Sequence, residues 1–425
     1  MLAVHRHLFR CGRTLFSAKL KNPILINGAI GKNLIARRAV IDSTSRLEVD
    51  SNVVPRVRKG VGIWFLSVAG ATFVTVVFGG VTRLTRSGLS MVDWRFFKEF
   101  PPRNEEKWLE EFEMYKKYPE YQLANHGMTL EEFKKIWYME YSHRSIARLT
   151  GLIGFLPFFY FWIRNELPVA IVLKALTLNS LILGQGFLGW YMVKSGLDHE
   201  TAIKYSHPHV SHYRLAAHLG LALTVFSLSI RNGLHYLLKP DKVNFDKRRE
   251  GLFNIFFSFL IQVMVTGAHS FLRRSLVGIS GLVFLTAVSG AFVAGLDAGL
   301  VYNSFPKMAD RWFPSDYFAK FPFYRNFLEN PSATQFNHRL LAELSVASAL
   351  GVWLFTRKMI LPPRAKLAIR CFAIVACTQL SLGVATLLLY VPKPLAALHQ
   401  AGSLGLLSSV LWAVHETKLL RFVPK

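Results

Sequence analysis

Eight apolar runs, at about residues 61–82, 144–163, 168–190, 214–232, 275–296, 339–356, 370–391 and 395–415, decide what this chain can fold into. Each approaches the roughly 20 residues that an α-helix needs to cross a hydrocarbon core roughly 30 Å thick. Water is absent there, so a spanning segment has to satisfy its own backbone amides, and a run of this length does so as a helix. The composition agrees, with 52% hydrophobic residues and only 18% charged ones among 425. The expected fold is an all-α polytopic membrane protein with eight transmembrane helices.

A formal net charge of +25 raises nucleic acid as a partner, but the positions of the basic residues argue against it. They lie at the N-terminus and in alternate connections between apolar runs, where orientation signals belong. Arg56, Arg58 and Lys59 precede the first run. With alternating runs, Arg164, the group from Lys239 to Arg274, then Arg357, Lys358, Arg364 and Lys366, and finally Lys418, Arg421 and Lys425 all fall on the inner side. Both chain ends are expected there, with the long connections 83–142 and 297–337 outside. The apolar stretch 252–265 is short for a span, and a crossing there would invert every later connection. It is expected as an interfacial or buried helix within a basic inner loop, 236–274.

Residues 1–45 are basic, acid-poor before Asp42 and interspersed with Leu and Phe, the pattern of a mitochondrial transit peptide. Cys11, Cys371 and Cys377 form no disulfide framework and no CxxC metal motif.

The chain also repeats itself. Gly79-Gly80 with Ser87-Gly88-Leu89 corresponds to Ser289-Gly290 with Ala298-Gly299-Leu300. Glu140-Tyr141-Ser142-His143-Arg144 corresponds to Gln335-Phe336-Asn337-His338-Arg339, and Gln185 to Gly189 corresponds to Gln379 to Gly383. Ala217-His218-Leu219-Gly220 pairs more loosely with Leu398-His399-Gln400-Ala401-Gly402. Four signatures recurring in one order mark a duplication. Four spans per copy give both copies the same orientation, hence two tandem four-helix bundles, 60–235 and 275–417, about a pseudo-two-fold axis along the membrane normal.

His143, His218, His338 and His399 fall near the starts of the second, fourth, sixth and eighth runs, toward the outer face. Ionisable groups inside a membrane carry a cost that function usually explains. Neutral imidazole is a ready metal ligand, and two imidazoles from facing helices suit haem iron. Zinc fits poorly, because no clustered Cys or carboxylate completes a tetrahedron. His207, His209 and His212 crowd an outer loop and have no second-half counterpart; His126, His199, His235, His269 and His415 are expected to be structural. Glu140, one helical turn before His143, faces a neutral counterpart, Gln335. A carboxylate at one metal site assigns chemistry to the first half and electron transfer to the second. The alternative is that Glu140 pairs with Arg144 or Arg83 and only shapes a loop.

Together these residues resemble the mitochondrial type of haem A synthase, over most of the chain from about Gly60. Gly79 to Ser90, Tyr138 to Arg144, Tyr213 to His218, Ala291 to Gly299 and Asn303-Ser304-Phe305-Pro306 carry the resemblance in family order. It implies an inner-membrane enzyme that oxidises the C8 methyl group of haem O to a formyl group, giving haem A for cytochrome oxidase. It further implies that His143 and His218 hold the substrate haem, that His338 and His399 hold a haem B cofactor, and that Glu140 is the essential carboxylate. Implied partners are a matrix ferredoxin and its reductase, with haem O synthase and a second copy of the chain as further candidates. Arg83, Arg144 and Arg339 are candidates for the haem propionates. The family's outer-loop cysteine pair, frequent in bacterial members, is missing, and 252–268 resembles an insertion. Two rivals predict otherwise: a di-haem b-type cytochrome that only passes electrons needs no Glu140, and a transporter built from parallel repeats needs no haem.

Overall fold

A computed structural model describes residues 55–94, 100–198, 210–240 and 255–418, with side chains from residue 57 onward and, in the last stretch, from residue 267. The presequence expected at 1–45, together with His199, His207 and His209, lies outside the described residues. The helices in chain order are α1 (Pro55–Leu84), α2 (Glu105–Lys116), α3 (Pro119–Leu123), α4 (Leu130–Ile163), α5 (Val169–Gly196) and α6 (His212–Leu237). They continue with α7 (Ile255–Gly295), α8 (Asn326–Glu329), α9 (Pro331–Thr356), α10 (Pro363–Leu388) and α11 (Lys393–Glu416). Eight of them, all but α2, α3 and α8, are long and apolar enough to cross a membrane. The all-helical, multi-span architecture read from the sequence is present.

Two boundaries differ from expectation. The helical stretch expected around Thr129–Trp137 and the second span are one helix. Thr129 accepts the Glu132 N–H while the Glu132 carboxylate accepts the Thr129 N–H, so a reciprocal cap starts α4 well before the apolar run. Glu131, Glu132, Lys134 and Lys135 interrupt the apolar run but not the helical period, since Phe133, Trp137, Glu140 and Arg144 share the buried face. Residues 252–265 are likewise not a separate helix. From Ile255 they run unbroken into the fifth span as a 41-residue helix, about 60 Å long at 1.5 Å per residue. No proline interrupts it, and the Arg273-Arg274 pair lies inside the helix.

Each group of four spans closes on itself. Helix α1 packs on α4 and α6, and α5 packs on α4 and α6; in the second group α7 packs on α9 and α11, and α10 on α9 and α11. The groups meet where α6 touches α7 and α11 touches α1 and α6. A shared apolar core fills that junction, including Ala69, Val76, Phe226, Leu276, Phe372, Leu404 and Val410. Outward, Leu149, Leu152, Leu156, Phe159 and Ile163 form an exposed apolar stripe on α4 at helical spacing, which suits lipid contact. A second cluster of Met91, Trp108, Phe112, Tyr115, Phe133 and Trp137 joins α2 to the N-terminal turns of α4.

Side-chain contacts recur at matched positions. The Thr75 hydroxyl meets Thr150 at 2.8 Å, and the Thr286 hydroxyl meets Ser345 at 3.1 Å. Gln185 donates to the His218 carbonyl at 3.0 Å, and Gln379 to the His399 carbonyl at 2.7 Å. These contacts set Gly79 against Gly290, one residue away from the Gly79-Gly80 to Ser289-Gly290 pairing expected from the sequence. In this register Arg83 corresponds to Ala294 and Arg86 to Asp297, and the counterparts touch. Arg83 donates to the Ala294 carbonyl at 2.8 Å, and Arg86 lies 3.6 Å from the Asp297 carboxylate.

Candidate functional site

Local rules place the four histidines. Asn330 caps α9 by accepting the Ser332 N–H, and Pro331 starts the helix, so His338 falls in the second turn. Pro392 precedes α11 and Pro394 lies in its first turn, which puts His399 in the second turn as well. His218 occupies the second turn of α6, and His143 the fourth turn of α4, deeper than the placement near a helix start expected for it.

Each ring lies against a glycine of the preceding span. A Cβ placed at Gly79 would stand 2.8 Å from His143 Cε1, at Gly189 3.1 Å from His218 Cε1, at Gly290 3.2 Å from His338 Cε1 and at Gly383 2.8 Å from His399 Cε1. The glycines are therefore seats for imidazoles. The alternative of simple helix–helix packing does not explain why the ring edge is the nearest atom in all four cases.

The second pair of rings meets directly. His338 and His399 have ring centres 6.5 Å apart with planes at 88°. Two imidazoles sharing one metal through bonds of roughly 2 Å have centres roughly 6 Å apart. His143 and His218 lie within electrostatic reach of each other. Their Nδ1 atoms are buried without hydrogen-bond partners among the described residues. His338 Nδ1 lies 2.7 Å from the Ser289 hydroxyl, and His399 Nδ1 lies 3.1 Å from the Gln379 amide nitrogen. This donor set, two neutral imidazoles in an apolar setting with a glycine cradle, fits haem iron.

The residue three before each first histidine ties α4 or α9 to the chain that follows the preceding span. Glu140, 2% exposed, accepts the Ser90 hydroxyl at 2.9 Å and the Met91 N–H at 3.0 Å, and pairs with the Arg144 guanidinium. Gln335 reverses the polarity and donates to the carbonyls of Ala298 and Tyr302 at 2.9 and 3.1 Å. The carboxylate and the amide thus each match the groups offered by their own loop. Of the two pairings considered for Glu140, Arg144 is present and Arg83 is not.

The three arginines suggested for propionates all have protein partners. Arg144 also donates to the Met91 carbonyl at 2.8 Å and lies 4.3 Å over the Trp94 ring. Arg339 donates to the Tyr302 carbonyl at 2.9 Å and to the Gln335 oxygen at 3.2 Å. Arg83 turns to the second half, 3.2 Å from the Asp297 carboxylate. His212 is a helix residue, not a loop residue, and its ring lies tilted against Tyr213 and edge-on to Phe292. His269 and His415 are structural as expected, each bonded to a backbone carbonyl, Ile360 and Leu238. No cluster of three His, Cys, Asp or Glu side chains suited to a metal occurs among the described residues.

Residues 62–411 match the cytochrome oxidase assembly protein family COX15-CtaA. The chain belongs to that family. It is 49% identical over 366 residues to the human heme A synthase COX15, covering 86% of this chain and 83% of the relative. It is 43% identical over 376 residues to the counterpart from Arabidopsis thaliana, 87% of this chain and 78% of that one. A heme A synthase–mitochondrial ferredoxin fusion protein from Schizosaccharomyces pombe is 39% identical over 368 residues, 83% of this chain and 59% of the fusion.

Seen as a COX15-CtaA chain, the molecule gives seating and bracing roles to residues that the repeat marks only as recurring. The four glycine seats and the glutamine braces Gln185 and Gln379 sit inside the repeated signatures, so repetition was the available signal. Ser289 stands beside Gly290 in a repeated signature, but its counterpart in the structure is Phe78, so repetition does not single it out.

Proposed function

We propose that this chain is a haem A synthase of the mitochondrial inner membrane. It oxidises the C8 methyl of haem O to a formyl group and thereby supplies haem A to cytochrome c oxidase. The observation that carries this reading is the pair of imidazole couples, each ring seated on a glycine, with a carboxylate one turn before His143 and an amide one turn before His338. Converting a methyl to a formyl group is a four-electron oxidation; with dioxygen as the oxidant, two successive hydroxylations each take two electrons from a donor and release one water, and loss of a further water from the gem-diol leaves the formyl group, so the enzyme needs one haem to transform and one route that brings electrons in. His143 and His218 hold the haem O substrate, and His338 and His399 hold haem B, which supplies single-electron transfer when bound. The Gly79, Gly189, Gly290 and Gly383 seats orient the imidazoles. Glu140, ringed by three donors, serves as a fixed negative charge that stabilises positive charge developing beside His143.

The fusion relative supports a ferredoxin as electron donor. The distribution of basic residues supports both termini in the matrix and the histidines toward the intermembrane space. The buried Glu140–Arg144 pair favours one competing reading, a di-haem b-type cytochrome in which Glu140 only anchors the loop. Extraction and chromatography of the haems from the purified protein decides between them. Haem O, haem A or an oxidised derivative beside haem B supports the synthase, and haem B alone after expression with a haem O source refutes it.

A further inference from the structure

The Ser289 hydroxyl lies 2.7 Å from His338 Nδ1 and 2.7 Å from the Thr286 carbonyl. A hydroxyl has one proton to give, and a carbonyl can only accept. The proton therefore points at Thr286, and Ser289 Oγ turns a lone pair toward the ring. His338 must then carry its own proton on Nδ1, which leaves the Nε2 lone pair available.

We infer that Ser289 is a positioning residue for the second-half metal centre: it fixes the His338 tautomer and makes Nε2 a stronger iron donor than the Nε2 of its counterpart, His143. This rests on the reading above, that His338 holds a haem. An imidazole that donates its distal N–H to an oxygen is locked in orientation and gains basicity as a ligand.

The comparison between halves isolates the effect. Thr75 and Thr286 both bond back to their own helices and across to Thr150 and Ser345, so the surroundings of the two rings match on that side. They diverge at the next turn, where Phe78 stands in place of Ser289. His143 Nδ1 meets no hydroxyl and has no hydrogen-bond partner among the described residues. One iron ligand is electron-rich and fixed, and its repeat counterpart is not. An electron-rich ligand favours ferric iron, so Ser289 lowers the reduction potential of the second-half haem. A low potential lets that haem hand electrons on toward the first half.

The test uses the full chain, purified with its haems, as wild type, Ser289→Ala, Ser289→Thr and His338→Ala. The readouts are potentiometric titration followed by absorption, and haem retention under dilution. Ser289→Ala removes one oxygen and adds no bulk. It should keep the low-spin spectrum, move one of the two potentials to more positive values and weaken retention of that haem by about 10- to 100-fold. The other haem should be unchanged, and Ser289→Thr, which restores the hydroxyl, should return the potential toward wild type. Wild-type potentials and retention in Ser289→Ala, alongside loss of one haem in His338→Ala, would overturn the role of Ser289 alone. Both haem signals intact in His338→Ala would overturn the ligand assignment itself.

Discussion

Alanine at the four glycine seats should separate the sites by tenths of an ångström. Ordinary van der Waals contact begins at 3.4 Å; a Cβ at Gly79 or Gly383 would stand at 2.8 Å from the imidazole, and one at Gly189 or Gly290 at 3.1 or 3.2 Å. The ring must then retreat by about 0.6 Å at the first two positions and by about 0.2 to 0.3 Å at the others. A ligand constellation tolerates displacement of roughly 0.5 Å, so Gly79→Ala and Gly383→Ala pass the limit while Gly189→Ala and Gly290→Ala stay within it. Overpacking of this kind costs roughly 1–3 kcal/mol, which at 1.4 kcal/mol per decade lowers haem affinity by about 5- to 150-fold. Gly186 has nothing within 4 Å of its would-be Cβ, so Gly186→Ala is the control and should retain haem like the wild type. Haem retention during dilution, followed in the Soret band, measures all five variants. Wild-type retention in both Gly79→Ala and Gly383→Ala, with protein folded, would refute the idea that these glycines seat the ligands.

Glu140→Gln should keep both haems and stop conversion, since the amide preserves size but not charge; normal haem A output would remove Glu140 from the chemistry. In the segment between the first two spans, burial raises the Glu120 carboxyl to about 8, with the Glu140 carboxylate adding to the shift and the Tyr115 hydroxyl bond opposing it. The folded state then keeps a proton that the unfolded state releases, so stability falls as pH rises from about 4.5 to about 8 and is flat on either side. Thermal unfolding followed by tryptophan fluorescence should show that slope in the wild type and lose it in Glu120→Gln. Asp297→Asn removes the partner of Arg83 and Arg86 from a half-exposed site; exposed pairs contribute roughly 0–1 kcal/mol, so the melting temperature should move by no more than a few degrees.

The spans and the four histidines were legible because both are written in strong local code: long apolar runs, and ionisable residues where few belong. Helix joins were harder. Glu131 to Lys135 broke the apolar run before α4, yet the buried face at Phe133, Trp137 and Glu140 continued through them, and helical period outranks a local change in hydropathy. At 252–265 the charge rule suggested a separate segment, whereas a helix without proline simply continued through Arg273-Arg274. The register of the repeat slipped by one residue because Gly79-Gly80 is a doublet and only the ring contacts tell which glycine matters. The role of Ser289 was not legible. Its meaning lies in the direction of one hydroxyl proton, which depends on a carbonyl three residues back and a ring on another helix.

The meeting of Arg86 with Asp297 has a consequence for how such a molecule can arise. These residues hold the same place in the two copies and lie against each other. Two identical subunits joined across that point could only have set like against like, arginine facing arginine or aspartate facing aspartate. Covalent fusion removes that restriction. Once both copies share a single polypeptide, each side of the seam is free to acquire the opposite sign, and an attraction forbidden to a homodimer becomes available.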